Sequence, residues 1–302
     1  MGSKTRPPPI KTRVAIAASD DGEVRGATRA LLWPISALLH SLHALLTTLL
    51  LSVIALGPMP KHIGFVMDGN RRYARSHGQR IARGHEKGSE SLKRTLRICL
   101  RLHIPIVSVY AFAIDNFRRS PEEVDTLMRL ATESLAEICR EGGFLQQHGI
   151  RLRCIGRMEL LKPDMQKALQ EMEAATAGNT NGVLNVCGPY SSRDEITTAV
   201  RATLASDASG SITPAALFAR LQSVSAAEDV AAGGGALDIL VRTSDTKRLS
   251  DFMLWQAGRS TQVHFVRTYW PDFGLSDLLP ILLGWQQRVW LRGLRAEGSG
   301  GE

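Results

Sequence analysis

The sequence predicts an α/β fold in which a central, mostly parallel sheet is flanked by helices. Short apolar runs bounded by Pro or Gly recur along the chain, and stretches of helical periodicity separate them. His62–Met67 is the first run, after Pro58 and Pro60 and before Gly69. Residues 85 to 102 then carry Leu92, Leu96 and Leu100 at helical spacing. Ile106–Phe112 is a second buried strand. Ser120 and Pro121 suit the cap and first turn of a helix whose apolar face holds Val124, Leu127, Met128, Ala131, Leu135 and Ile138. A strand at 151–156, a helix at 163–177, a strand at 183–187 and a helix at 192–204 follow. Residues 205–214 and the Gly233–Gly235 run read as loops. Leu237–Arg242 and Val263–Val266 read as late strands, and Leu275–Leu291 as the last helix. No internal repeat is present.

The chain has 302 residues, a formal net charge of +8 and 44% hydrophobic residues, enough for a sizeable core. The basic balance fits anionic membranes, phosphorylated small molecules or nucleic acid. Aromatics are only 6%, and no basic stretch is interleaved with Phe or Tyr, so nucleic acid is not the expected partner. Cys99, Cys139, Cys154 and Cys187 are widely spaced without a Cys-x-x-Cys pair. They read as small core residues in a reducing compartment.

Four regions are expected: a disordered tail at 1–29, a hydrophobic membrane-associated helix at 30–57, a catalytic domain at 58–292 and a flexible tail at 293–302. Between Ala30 and Pro60 no residue is charged. The apolar core, Ile35–Leu56, is long enough to span a bilayer, which takes about 20 residues. Ser36, His40, His43 and Thr47 form a polar stripe on one helical face, which also fits a helix lying in the interface or packing on protein.

Three basic clusters follow strands. Asp68-Gly69-Asn70-Arg71-Arg72 ends the first: a carboxylate that can take a magnesium ion together with substrate phosphates, a glycine that admits close backbone approach, and two guanidiniums entering a helix. An Asp-Gly turn with solvated arginines is the alternative for that fragment alone. Asn116 and Arg118-Arg119 end the second. Arg242-Thr243-Ser244 with Arg248-Leu249-Ser250 ends a late strand. In open α/β sheets ligands bind at the carboxyl ends of strands, so three such clusters point to two phosphate-bearing ligands side by side. No Gly-x4-Gly-Lys-Ser/Thr loop, no strand-linked Gly-x-Gly-x-x-Gly and no Asp-Asp-x-x-Asp helix pair is present, which argues against an NTPase, a dinucleotide enzyme and a trans-type prenyl synthase.

His62–Ala74, Val109–Phe112 with Asn116, Phe117 and Arg119, and Asp238–Ser244 with Arg248–Gln256 and Trp270–Phe273 together resemble the signatures of the cis-prenyltransferases (undecaprenyl diphosphate synthase family), over roughly residues 58 to 290. The Arg71-Arg72-Tyr73 form, with Asn185-Val186-Cys187 and Tyr190–Ile196, is most similar to the eukaryotic, dehydrodolichyl-diphosphate-forming branch. The resemblance implies the cis-prenyltransferase fold and elongation of an allylic, farnesyl-type diphosphate by isopentenyl diphosphate, for dolichol synthesis and protein glycosylation. It implies Mg2+ on Asp68, with Gly69, Asn70, Arg71, Arg72, His85 and Arg119 on the allylic diphosphate. Arg242, Arg248 and Ser250 would hold isopentenyl diphosphate, and Asp68, Asn70 and Asn116 would act at the reacting groups. It also implies work at the endoplasmic reticulum membrane, with the active site facing the cytosol.

Ala113, where the family has Ser, and Asp245-Thr246, where it has Gly-Glu, depart from the pattern. So does the lack of a carboxylate near Thr261. Single-subunit members end in Arg-x-Gly. This chain has Arg292-Gly293 and Arg295-Ala296-Glu297 instead, which implies a related, Nogo-B-receptor-like subunit in a heterodimer. A catalytically silent scaffold subunit of the same complex is the alternative reading. Trp255 and Trp270 read as core or tunnel-wall residues.

Overall fold

A computed structural model describes residue 38 and residues 41–42, 44–206, 213–224, 236–258 and 260–298, with side chains described up to residue 292 in the last segment. The expected tail at 1–29, the His40–His43 stripe and the Gly233–Gly235 loop lie outside the described residues. Contacts divide the chain into two units, 1–50 and 51–302. In the first, residues 44–50 are helical. Among the described residues no helix is long and apolar enough to cross a membrane.

The second unit opens with helical residues 51–54 and then builds a six-stranded sheet. Its strands are β1 (His62–Val66), β2 (Ile106–Tyr110), β3 (Ile150–Ile155), β4 (Gly182–Cys187), β5 (Ile239–Arg242) and β6 (Gln262–Phe265), in the order β3-β4-β2-β1-β5-β6. Every pairing is parallel, so all strand ends that carry site residues emerge on one edge. Helices connect the strands: α1 (Asn70–Ser76), α2 (Ile81–Arg101), α3 (Pro121–Cys139), α4 (Phe144–His148), α5 (Pro163–Thr176), α6 (Ser192–Ser206), α7 (Pro214–Ala219), α8 (Leu254–Ala257) and α9 (Leu275–Gly298).

Strand alternation divides the apolar side chains between two faces. Ile63 and Phe65, with their register partners Val107, Val109, Ile239 and Val241, join the larger core. Val66, Leu240, Cys187 and Ile155 join a smaller core with Phe252 and Met253. Burial of each such side chain contributes about 1.5–3 kcal/mol. Phe65 anchors the larger face: its ring lies 5.8 Å from those of Trp270 and Phe273, which stack on each other at 5.6 Å. Trp270 is therefore a core residue, its indole N–H donating to the Gly88 carbonyl at 2.8 Å. The cysteines are free; Cys99, Cys139 and Cys187 are buried and Cys154 is half-buried.

Element bounds differ from the sequence reading where tertiary contacts decide them. α2 begins at Ile81 rather than 85. Gly84 and Gly88 weaken the helical signal there, yet small residues are required: a Cβ on Gly84 would stand 2.3 Å from the Asn70 carbonyl, and one on Gly88 2.6 Å from the Asn70 Oδ1. The second strand stops at Tyr110 because the chain turns over Cys187, whose carbonyl accepts from the amides of Ala111 and Phe112. The helical cap was legible: the Ser120 Oγ accepts from the Glu123 amide at 3.4 Å and Pro121 starts α3. α4, α7 and α8 are too short to show a period. The last helix runs to Gly298, through the start of the tail expected from 293.

Candidate active site

The parallel register sets β1 and β5 side by side, with Val66 opposite Arg242, so the chain just after β1 meets the end of β5. Arg242, 4% exposed, reaches the Asp68 Oδ2 with Nη2 at 2.9 Å. Its Nη1 donates to the Arg248 carbonyl at 2.6 Å and to the Ser250 Oγ at 2.7 Å. Thr243 fixes the Asp68 backbone: its Oγ1 accepts from the Asp68 amide at 2.9 Å and donates to the Asp68 carbonyl at 2.7 Å. The Trp270 amide also donates to that carbonyl, at 3.0 Å. Burial disfavours the Asp68 carboxylate, but the hydrogen bond and charge of Arg242, aided by Arg72, outweigh it and hold the carboxyl below its ordinary range.

Gly69 makes the bend into α1 with φ 107°, a left-handed conformation suited to glycine. A Cβ there would lie 2.8 Å from Tyr269 and 3.0 Å from Ser244. α1 then presents Asn70, Arg71 and Arg72. Arg72 donates to the Ser244 carbonyl at 3.2 Å, to the Ser244 hydroxyl, and to the Thr246 Oγ1 at 3.2 Å, with its guanidinium 5.6 Å over the Tyr269 ring. Thr246 thus places a neutral hydroxyl against Arg72 where the family pattern has a carboxylate. Thr261 spends its hydroxyl on the carbonyls of Leu237 and Gln256.

The third cluster closes the ring. Arg119 donates to the Asn116 Oδ1 at 3.0 Å, and Arg119 and Arg71 both hold the Glu123 Oε1, at 3.0 and 2.9 Å. Burial, then the charges of Arg71 and Arg119, push the His85 imidazole below its ordinary value, toward the neutral form. The His85 Nε2 and the Asn70 Oδ1 are buried with no hydrogen-bond partner among the described residues. An unpartnered buried polar atom is costly, and these two sit where a ligand would satisfy them.

Most of these groups line one cavity of about 780 Å³, with Thr243, Ser244, Glu123 and Tyr269 packed behind it. Asp68, Gly69, Asn70, Arg71 and Arg72 line it with His85, Asn116 and Arg119, and Arg242, Arg248 and Ser250 line it beside Asp68. Every residue given a catalytic, diphosphate or metal role from sequence lines it, whereas Arg118, Thr243 and Ser244 of the same clusters do not; Arg118 is exposed and pairs with Asp115. Arg75 also lines it and was missed, lying just beyond the end of the first motif; Tyr110 and Thr246, noted in sequence without a binding role, line it as well. Deeper in, the walls turn apolar. Leu92 of α2 faces Leu127, Leu130, Ala131, Leu135 and Ile138 of α3, over a floor of Val109 and Val186. Among the described residues no group of three or more His, Cys, Asp or Glu side chains could hold a metal, so Asp68 is the carboxylate at the mouth available to one.

An α/β enzyme with a cationic mouth for diphosphates and a long apolar cavity is what this geometry defines. The chain belongs to the putative undecaprenyl diphosphate synthase family of prenyltransferases, whose family model matches residues 66–292. It is 41% identical over 241 residues to a dehydrodolichyl diphosphate synthase complex subunit of Schizosaccharomyces pombe, covering 80% of this chain and 90% of that one. It is 40% identical over 235 residues to the corresponding subunit of Homo sapiens, covering 78% of this chain and 69% of that one. An isoprenyl transferase of Thermus thermophilus is 37% identical over 257 residues, 83% of this chain and 95% of that one. Among solved structures, lavandulyl diphosphate synthase from Lavandula x intermedia in complex with dimethylallyl diphosphate superposes with a TM-score of 0.66 at 27% identity, covering 76% of this chain and 95% of that one.

Proposed function

We propose that this prenyltransferase lengthens an allylic, farnesyl-type diphosphate by successive cis additions of isopentenyl diphosphate, giving a long dehydrodolichyl-type diphosphate for dolichol synthesis. The observation that carries the proposal is the cavity itself: guanidiniums at the mouth for two diphosphates, and an apolar interior between α2 and α3 for a hydrocarbon chain. The dehydrodolichyl names of the relatives favour this product class over a silent scaffold.

Asn70, Arg71, Arg72, Arg119 and neutral His85 hold the allylic diphosphate, with Gly69 admitting it to the backbone. Arg242, Arg248 and Ser250 hold the isopentenyl diphosphate. Asn116, held by Arg119, orients the reacting ends. In each cycle the bond from the allylic C1 to its diphosphate breaks, the isopentenyl double bond supplies the electron pair for the new carbon–carbon bond, and a proton leaves C2 to form the cis alkene. Positioning of two anionic ligands in a preset cationic field carries most of the rate.

Asp68 fits a Mg2+ ion: its carboxyl is held below its ordinary range, it lines the cavity, and its Oδ1 stands 3.4 Å from Arg72. Magnesium commonly uses one or two carboxylates together with substrate phosphates. When bound, it neutralises charge on the departing diphosphate.

Two further parts belong to the proposal. A related subunit completes the site. In support, β6 is the sheet's edge strand among the described residues and exposes Val263 and Phe265, and α9 exposes Leu283, Trp290 and Leu291. The enzyme works at the cytosolic face of the endoplasmic reticulum membrane, for which the uncharged run from Ala30 to Pro60 and the exposed Val53 and Leu56 argue. The test is incorporation of radiolabelled isopentenyl diphosphate onto a farnesyl primer, with and without the co-expressed subunit. Wild type with the subunit makes a long product and Asp68→Ala makes none. Equal incorporation by the two overturns the catalytic assignment.

A further inference from the structure

The loop that leaves β5 carries Thr246, Arg248 and Ser250 into the cavity, and it is conformationally unusual. Ser244, Asp245, Ser250, Asp251 and Met253 all have positive φ, between 48° and 69°, although none is glycine. Side chains rarely adopt that region, and the surroundings must hold them there. The first pair is held by two backbone bonds, the Ser244 and Asp245 amides donating to the carbonyls of Thr268 and Val266, each at 2.8 Å, and by Arg72, which donates to Ser244.

The second pair, Ser250–Asp251, is held differently. The Asp251 side chain is 12% exposed and points away from the cavity, toward the start of α6. Its Oδ1 accepts from the Arg193 amide at 3.1 Å. Its Oδ2 accepts from the Ser191 hydroxyl at 2.6 Å and from the Arg193 Nε at 3.0 Å. The stitching is reciprocal, since the Ser192 amide donates to the Asp251 carbonyl at 2.8 Å and the Leu254 amide to the Ser192 Oγ at 2.9 Å. A carboxylate thus caps α6 from 58 residues downstream, at the helix end that favours negative charge. On the cavity side of the same turn, the Ser250 Oγ meets the Arg242 Nη1 and, at 3.2 Å, the Arg248 Nε.

We propose that Asp251 is a positioning residue for the second diphosphate pocket: clamped by Ser191 and Arg193, it holds the left-handed Ser250–Asp251 turn that aims Ser250 and Arg248 at the ligand. This deepens the functional reading above and rests on it. Asp251 touches neither substrate nor cavity, so it acts only through its neighbours.

The test is steady-state kinetics on the complex with its partner subunit, varying each diphosphate in turn. Asp251→Ala raises the KM for isopentenyl diphosphate about tenfold, the size expected for lost hydrogen bonds to a charged group, and leaves the KM for the allylic diphosphate in place. Asp251→Asn, which keeps an acceptor for Ser191 or the Arg193 amide, recovers most of the affinity. Ser191→Ala, a milder change that spares the fold, moves the same KM in the same direction by about threefold. A merely structural role lowers the active fraction and the melting temperature with both KM values unchanged, and that result in either variant overturns the proposal. So does an equal rise in both KM values. Failure of the wild-type complex to incorporate isopentenyl diphosphate would instead overturn the functional reading beneath it.

Discussion

Asp68 and Arg242 face each other at 2.9 Å where two adjacent parallel strands end, and both are held by the chain that leaves β5: the Thr243 hydroxyl pins the Asp68 backbone, and the Arg248 carbonyl pins the Arg242 guanidinium. The pair gives the first prediction. A carboxyl whose folded value is lowered contributes stability above its unfolded value, near pH 4, and loses it as pH falls through the lower folded value. The difference in melting temperature between wild type and Asp68→Asn should stay level from pH 7 to 5 and shrink only below about pH 4. A gap that closes near pH 6 would contradict the pairing.

His85 works in the same direction, through a window at higher pH. Burial and two arginines depress its imidazole, so the neutral side chain fits the fold above about pH 6.5 and protonation opposes it below. Wild type should therefore lose more stability than His85→Gln between pH 7 and 5. Parallel melting curves for the two proteins would count against it.

Gly69→Ala tests the bend into α1. A left-handed φ of 107° and a Cβ crowding Tyr269 at 2.8 Å should together cost about 1–3 kcal/mol in urea unfolding. The same shift moves Asn70 and Arg71, so elongation should fall at least tenfold, a misplacement effect larger than the loss of folded protein.

Ala131→Phe tests the cavity. Ala131 is a small residue in a wall whose apolar neighbours on α3 are Leu127, Leu130, Leu135 and Ile138. A ring there should shorten the longest product, read by chromatography of the labelled chains, while the first condensation proceeds near the wild-type rate. An unchanged product ladder would place the growing chain elsewhere.

Much of this architecture was readable in the residues, and the parts that were not share a cause. Strand runs such as Ile106–Tyr110, the Ser120–Pro121 cap and the arginine clusters at strand ends are local signals, carried by neighbours in sequence. Glu123 was invisible as a site residue because its role depends on Arg71, 52 residues away, and on where α3 packs. Asp251 likewise reads as a loop carboxylate until Ser191 and Arg193 are brought to it. Gly84 and Gly88 lower the local helix propensity, yet contact with Asn70 requires small residues there inside α2.

Glu123 carries one more consequence. With its Oε1 shared between Arg71 and Arg119, the site already holds a resident counter-ion, a carboxylate side chain of its own. A singly charged solute, such as chloride or a carboxylate metabolite, offers those arginines little that they do not have. A diphosphate, bearing several charges on neighbouring oxygens, can displace the tenant and still gain. The enzyme so discriminates by valence before shape is consulted.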